Sequence, residues 1–241
     1  MGFFQQLLQK ETFNPGPLGI VINPFYIARR GLYKEMSRVG TQLSGRLLDV
    51  GCGTKPYKQL FQVNEYIGLE IDTTYNREKK DIDVFYDGTV FPFEDNSFDS
   101  LLCNQVLEHV FNPEEFLQQI NRVLKVGGKG IITVPFAWDE HEQPYDYARY
   151  SSFGLKSLLE KNGFEVIELR KSVADLRVLT VLMNGYLYKK TVKYRFLRIF
   201  ATILLMFPNN VIGSIIGLIM PRNEDLYLDN IVLFKKVKAT K

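Results

Sequence analysis

The sequence predicts an α/β chain, a doubly wound and mostly parallel seven-stranded sheet with an apolar helical insertion before the last strand. Three observations predict it. Short apolar runs of strand length alternate with helical segments from residue 46 onward. The first run ends in a tight glycine bend, Gly51-Cys52-Gly53. The next two runs end near acidic residues. Repeated β-then-α units of this kind form a parallel sheet, and ligands bind at the carboxyl ends of its strands, where the strand order reverses.

Residues 1–23, punctuated by Gln, Gly and Pro, read as an N-terminal arm or lid with a short apolar stretch near Phe3–Leu8. Pro24 suits a first helical position and opens a helix to about Val39, after which Gly40 and Gly45 break the chain. Leu47–Val50 is the first strand, Tyr66–Glu70 the second, Ile82–Tyr86 the third and Phe98–Asn104 the fourth. Asn112-Pro113-Glu114-Glu115 signals a helix start, with a capping Asn, Pro at the first position and acids facing the dipole. Phe116, Leu117, Ile120, Val123 and Leu124 line one face of that helix, and Gly127-Gly128 stops it. Ile131–Val134 is the fifth strand, Ser152–Asn162 a helix closed by Gly163, Phe164–Leu169 the sixth strand and Tyr227–Phe234 the last. The resulting segments are an arm and helix (1–45), a core (46–171), an insertion (172–225), and a final strand with a Lys-rich tail (226–241).

An apolar fraction of 46% fits a globular chain of 241 residues. Cys52 and Cys103 stand far apart and form neither a disulfide framework nor a metal motif, which points to a reducing compartment. His109 and His141 leave little material for a transition-metal site, and no metal is expected. The start, Met1-Gly2-Phe3-Phe4-Gln5-Gln6, lacks the basic and long apolar parts of a signal peptide, and Gln6 removes the Ser/Thr of a myristoylation motif. A cytoplasmic location follows.

The glycine bend lets backbone approach a ligand without Cβ interference, and the amides beyond it offer donors. Where a dinucleotide fingerprint wants its third glycine, this chain has Pro56, which weakens a nicotinamide reading. Alone, the bend reads equally well as a structural turn. Glu70, at the end of the second strand, stands where doubly wound folds bring an acid to ribose hydroxyls. Each such charge-assisted bond contributes roughly 1.5–3 kcal/mol, and Asp72 competes for the role. Asp87-Gly88 follows the third strand, either as an acceptor for an adenine amino group or as a plain turn.

Leu47–Thr54, Glu70, Asp87, Phe91–Asp99 and Asn104–Val110 resemble, in order and spacing, the class I S-adenosylmethionine-dependent methyltransferases of the methyltransferase-11 type. Leu124–Gly130 resembles that family's turn before the fifth strand, and the resemblance runs from about Leu47 to Leu169. It implies a Rossmann-like methyltransferase fold. It also implies S-adenosylmethionine on Asp49, Gly51, Gly53, Glu70, Asp87 and Gly88, with Asn104 and Gln105 beside the methionine portion. Many members carry a third glycine where this chain has Lys55, a cation awkward near a sulfonium unless it turns away or meets the cofactor carboxylate. The Lys55-Pro56-Tyr57 variant resembles members associated with polysaccharide and cell-envelope biosynthesis.

Pro135–Tyr150 begins at the carboxyl end of the fifth strand and gathers polar, aromatic and titratable groups. His141 is the candidate general base for a hydroxyl acceptor, because it titrates near neutrality. Asp146 orients or replaces it, and Arg149 is placed to pair with an acceptor phosphate or carboxylate. The competing reading is a polar loop whose shape the Asp146–Arg149 pair locks. His109, in a short helix after the fourth strand, reads as structural.

Leu176 to Asn223 contains no acid but seven cations, against 23 cations and 27 anions elsewhere. Phe196–Phe207 and Val211–Met220, separated by Pro208-Asn209-Asn210, are each too short to cross a bilayer. A single crossing would also strand the last β-strand on the wrong side. Residues 186–222 therefore read as an interfacial helical pair on anionic lipid, a homodimer contact or core-covering helices. The expected function is O-methylation of a glycan or lipid-linked envelope precursor at the inner face of a membrane. A membrane-soluble phenol or quinone precursor is the alternative acceptor, and a non-catalytic cofactor-binding scaffold the rival class. Nucleic acid is not expected as a partner, since the basic stretch is apolar and no Asn/Asp-Pro-Pro-aromatic signature follows the fourth strand.

Overall fold

The computed structural model describes residues 3–78 and 82–238, with side chains from residue 7 onward in the first helix. The expectations placed on Met1-Gly2 and on the last residues of the Lys-rich tail lie outside the described residues. The chain divides into two compact units. One comprises residues 36–136, 140–170 and 230–241, and the other residues 1–35, 137–139 and 171–229.

The larger unit holds the sheet. Its strands are β1 (Arg46–Val50), β2 (Glu65–Ile71), β3 (Val84–Tyr86), β4 (Phe98–Asn104), β5 (Leu124–Pro135), β6 (Phe164–Lys171) and β7 (Asp229–Lys236). They lie in the order β3-β2-β1-β4-β5-β7-β6. The first five pair in parallel, with Asp49 opposite Gly68 on β2 and Leu102 on β4. Gly163 bonds to Val237 and Ser172 to Asp229, so β7 runs opposite to β6. The strand order reverses between β1 and β4, and a doubly wound sheet leaves its ligand crevice there. Leu48, Val50, Leu69, Leu101, Cys103, Ile132, Val134, Val232 and Phe234 are fully buried between the flanking helices. That double burial explains why the inner strands are continuous apolar runs rather than alternating ones.

Two expected boundaries move. The helix after β4 (Pro113–Val123) ends four residues before Gly127-Gly128, and β5 begins at Leu124. The two glycines sit in an irregularity of the β4–β5 ladder, where the register jumps from Phe98↔Leu124 to Ser100↔Lys129. A Cβ on Gly128 would come within 3.0 Å of two backbone oxygens. Glycine is there for the bulge. Asn112 occupies the cap position but makes no capping bond, and Pro113 alone fits its expected role.

The smaller unit is helical. Its helices include Phe3–Phe13, Gly19–Ile22, the start of Tyr26–Gly40, and Arg177–Thr191. Arg195–Ala201 and Phe207–Ile219 are joined by a π-helical turn at Thr202–Met206. The expected break at Pro208-Asn209-Asn210 is absent, and residues 195–219 form one helical run, long and apolar enough by composition to cross a membrane. Proline interrupts an α-helix because it lacks an N–H and crowds the carbonyl four residues back. Here the π turn, closed by the Phe207 amide on the Thr202 carbonyl, relieves that crowding immediately before Pro208.

The two asparagines after Pro208 do not end the helix; they pin it. Asn210 Nδ2 donates to the Ile20 and Asn23 carbonyls at 3.1 and 3.0 Å. Asn209 Nδ2 donates to the Thr180 carbonyl at 2.7 Å and to Asn184 Oδ1 at 2.8 Å. Asn184 Nδ2 reaches the Pro24 carbonyl and Asn210 Oδ1. One face of the run is thus fixed by a buried amide network, while Phe196, Leu197, Ile199, Phe200, Leu218 and Ile219 are exposed.

Candidate functional site

The site is built at the carboxyl ends of β1, β2 and β4. After Val50 the chain bends through Gly51 (φ +70°) and Gly53 (φ +52°). The Gly51 and Cys52 amides both turn back to the Leu69 carbonyl on β2, at 2.9 and 3.2 Å. A Cβ on Gly51 would lie 2.4 Å from Val106 Cγ2, whereas one on Gly53 or Gly88 would meet nothing within 4 Å. The first glycine is required by packing beneath the bend. The other two leave backbone facing open space, as a cradle for a flat ligand requires.

Glu70 Oε2 accepts the Gly53 amide at 2.9 Å, tying the bend to β2. The rival acid Asp72 gives both carboxylate oxygens to Arg77, at 2.6 and 2.5 Å. Between the two, Glu70 is the acid directed at the bend. Asp87 is exposed, and its Oδ1 accepts the Thr89 amide and hydroxyl and the Val90 amide. Those bonds hold its carboxyl below the ordinary range and make the turn that the sequence reading allowed.

Asp49 is buried, and Tyr66 Oη donates to its Oδ2 at 2.5 Å. Burial pushes its carboxyl up to about 7 despite that bond, with nearby Glu70 adding to the rise. Asp49 is thus buried against Tyr66 rather than exposed. Lys55, the departure from the common glycine pattern, has its ammonium on Asp83 Oδ2 at 2.6 Å, where the Gly68 amide also donates. The cation is neutralised beside β2 and turned away from the bend. Asp83 gave no sequence signal for this, because its partners lie 28 and 15 residues away.

Asn104 and Gln105 end β4. Thr133 Oγ1, on the neighbouring β5, donates to Asn104 Oδ1 at 2.8 Å and accepts from the Gln105 amide and Nε2, each at 3.2 Å. Gln105 sits at φ +55°, a conformation side chains rarely adopt, which the fully buried Thr133 enforces. Thr133 reads in the sequence only as part of an apolar strand. Its role appears once β4 and β5 are paired.

The loop of residues 140–150 folds back on the turn Leu107–His109. The Tyr147 and Ala148 amides donate to the Glu108 carbonyl, at 2.9 and 3.2 Å. Inside the loop, Asp146 accepts both Arg149 guanidinium nitrogens at 2.6 Å and the His141 amide at 2.8 Å. Its Oδ2 also lies 3.3 Å from His141 Nδ1. These donors, Arg149 foremost, hold the Asp146 carboxyl down to about 2. Asp146 is a carboxylate throughout the physiological range. It orients the imidazole, and the same bonds lock the loop. Arg149 is committed to Asp146 and to the Ala148 carbonyl at 2.7 Å.

Residues 48–132 match the family described as a methyltransferase domain. A demethylmenaquinone methyltransferase of Renibacterium salmoninarum is 36% identical over 111 residues, 43% of this chain and 47% of that enzyme. An uncharacterised protein of Methanocaldococcus jannaschii is 32% identical over 130 residues, 54% of this chain and 63% of that one. The chain spans less than two thirds of the length of either relative. Among solved structures, Haemonchus contortus phosphoethanolamine N-methyltransferase 2 in complex with S-adenosyl-L-methionine superposes with a TM-score of 0.53. That match has 20% identity and covers 99% of this chain and 61% of that one. The family match and the shared fold support S-adenosylmethionine as the cofactor, and the open backbone at Gly53 and Gly88 beside Glu70 fits a nucleoside.

Two predictions follow from this geometry. Gly51→Val forces a side chain into Val106 and is expected to abolish S-adenosylmethionine binding in calorimetry, while Glu70→Ala weakens it at least about tenfold, about 1.4 kcal/mol. Unchanged affinity in both would contradict the cradle. For Asp49 the native state keeps a proton that the unfolded chain releases near 3.8. The stability it contributes therefore declines as pH rises from about 4 to about 7 and then levels. Urea denaturation across that range is expected to show this decline flattened in Asp49→Asn.

Proposed function

We propose that this chain, a class I S-adenosylmethionine-dependent methyltransferase, methylates a hydroxyl oxygen of a glycan or lipid-linked cell-envelope precursor. The observation that carries the reading is the pairing of two features along one sheet edge. One is a glycine cradle with a carboxylate beside it, and the other is a rigid polar loop that aims a histidine. The bound sulfonium supplies an electrophilic methyl group, and methyl transfer is an in-line displacement. Holding the acceptor oxygen in line with it contributes up to about 7–11 kcal/mol in ideal cases.

The chain's own residues then have three tasks. Glu70 and the amides of the glycine bend hold the nucleoside. Asn104 and Gln105, fixed by Thr133, flank the methionine portion. His141, with Nδ1 directed at Asp146, presents Nε2 to take the hydroxyl proton, a general-base contribution of roughly 10²–10⁴-fold. Arg149, held by Asp146, serves to fix the loop that carries His141. A membrane-soluble phenol or quinone precursor is the second acceptor reading, favoured by the similarity to a demethylmenaquinone methyltransferase. A scaffold that binds the cofactor without turnover is the rival from another class.

The helical unit supports an acceptor presented at the cytoplasmic face of a membrane. Lys190, Lys193, Arg195 and Arg198 make no ion pair among the described residues, and they flank the exposed Phe196, Leu197, Ile199 and Phe200. Each cation near an anionic surface contributes about 1 kcal/mol. The amide network through Asn184 and Asn210 favours a helix lying on the surface over one threaded through it.

His141→Ala is expected to spare S-adenosylmethionine binding while lowering turnover on lipid-linked glycan extracts at least about 100-fold. Unchanged turnover would remove His141 from the reaction, and S-adenosylhomocysteine never forming with any acceptor would favour the scaffold. For the membrane face, the protein is expected to pellet with anionic vesicles. Changing Lys189, Lys190, Lys193, Arg195 and Arg198 to Gln abolishes that pelleting. Failure of the unmodified protein to pellet at low salt, with a dimer in sedimentation, assigns the apolar face to a second copy instead.

A further inference from the structure

Glu108, His109 and His141 bring one possible ligand atom each to within 4.8 Å of one another. His109 Nε2 lies 3.9 Å from Glu108 Oε1, and the two imidazoles meet edge to face with centroids 4.8 Å apart. Glu108 is fully buried. Donors about 2.0–2.2 Å from a tetrahedral ion stand about 3.4 Å from each other, so modest side-chain rotations would bring this set to bonding distance.

A hydrogen bond behind the His109 ring sets its tautomer. His109 Nδ1 lies 2.8 Å from the Tyr145 carbonyl oxygen, which can only accept. Nδ1 therefore carries the proton, and the lone pair is on Nε2. His141 Nδ1 lies between an acceptor, Asp146 Oδ2 at 3.3 Å, and a donor, Arg149 Nη2. Arg149 Nη2 is 3.4 Å from that nitrogen, but it has its closer acceptor in Asp146 at 2.6 Å. Imidazoles whose outer N–H is held by a carbonyl or carboxylate are those that metal sites employ, because the partner fixes the ring and raises its basicity. The His109 lone pair is thereby turned toward the buried Glu108 carboxylate.

We infer that Glu108, His109 and His141 form a site for a divalent transition metal ion. Two imidazoles and one carboxylate suit zinc, manganese, iron or cobalt rather than magnesium or calcium. Three protein donors leave a fourth position open. This deepens the O-methylation reading and rests on it. The open position takes the acceptor hydroxyl, whose acidity the ion raises. The O–H bond breaks with its proton passing to water, the O–C bond forms as the sulfonium S–C bond breaks, and that electron pair stays on sulfur. In this arrangement His141 promotes ionisation as a ligand rather than as the base.

The test uses full-length protein stripped with chelator and titrated with cobalt(II), followed by visible d–d absorption, and with zinc by calorimetry. A single equivalent is expected to bind, with zinc displacing the cobalt bands. His109→Gln and His141→Gln should each weaken binding at least about tenfold with the melting temperature retained. Asp146→Asn, which leaves all three donors in place but loosens the His141 ring and its loop, should weaken it about 10–100-fold. Should a variant fail to fold, the wild-type cobalt spectrum with its reversal by zinc decides. No d–d bands in the wild-type protein, or binding unchanged in folded His109→Gln and His141→Gln, overturns the metal site. S-adenosylmethionine binding by the stripped protein is measured in parallel. Retained cofactor binding without metal leaves the methyltransferase reading standing alone, whereas its loss in every form refutes that reading separately.

Discussion

The constraint on which the site depends is that the chain must leave β1 with no side chain in its way. Gly51 turns over Val106 with no room for a Cβ, and its amide and the next one fold back onto the Leu69 carbonyl. Glu70 then catches the Gly53 amide with one oxygen and the Ile71 amide with the other, so one carboxylate closes the bend onto β2. Gly53 and Gly88 leave open room where a Cβ would stand, so a flat ligand can approach the backbone there. Lys55 is compatible with this only because Asp83 draws its ammonium aside.

The second half of the site repeats this economy with different chemistry. Asp146 receives Arg149, the His141 amide and the His141 ring, so a single carboxylate fixes both the loop and the imidazole. The loop is in turn tied to the turn after β4 through the Glu108 carbonyl and His109. A rigid loop at this position makes the separation between the cofactor cradle and the histidine a property of the fold rather than of a mobile segment. Structure of this kind suits alignment-dependent transfer, where small displacements of the acceptor are costly.

Much of this was legible in the sequence, and what was not has physical reasons. The seven strands, the glycine bend and the acids beyond the second and third strands are local patterns of burial and turn chemistry. Thr133 and Asp83 were invisible because their roles exist only through strand pairing and contacts across many residues. Gly127-Gly128 read as a helix stop because glycine ends helices more often than it forms a bulge. Pro208 read as a break because the relieving π turn carries no sequence signature, and Asn209 and Asn210 look like loop residues until their carbonyl partners are placed. That His109 shares its surroundings with His141, 32 positions on, was not legible because nothing local reveals it.

The central claim is that an adenosyl ligand lies across the glycine bend with its sugar on Glu70. A crystal structure with S-adenosylhomocysteine tests it most directly. The account predicts the ribose hydroxyls within hydrogen-bonding distance of Glu70, with the nucleoside running between Gly53 and Gly88. A crevice filled by the protein's own side chains, or a ligand bound elsewhere with Glu70 untouched, would contradict it.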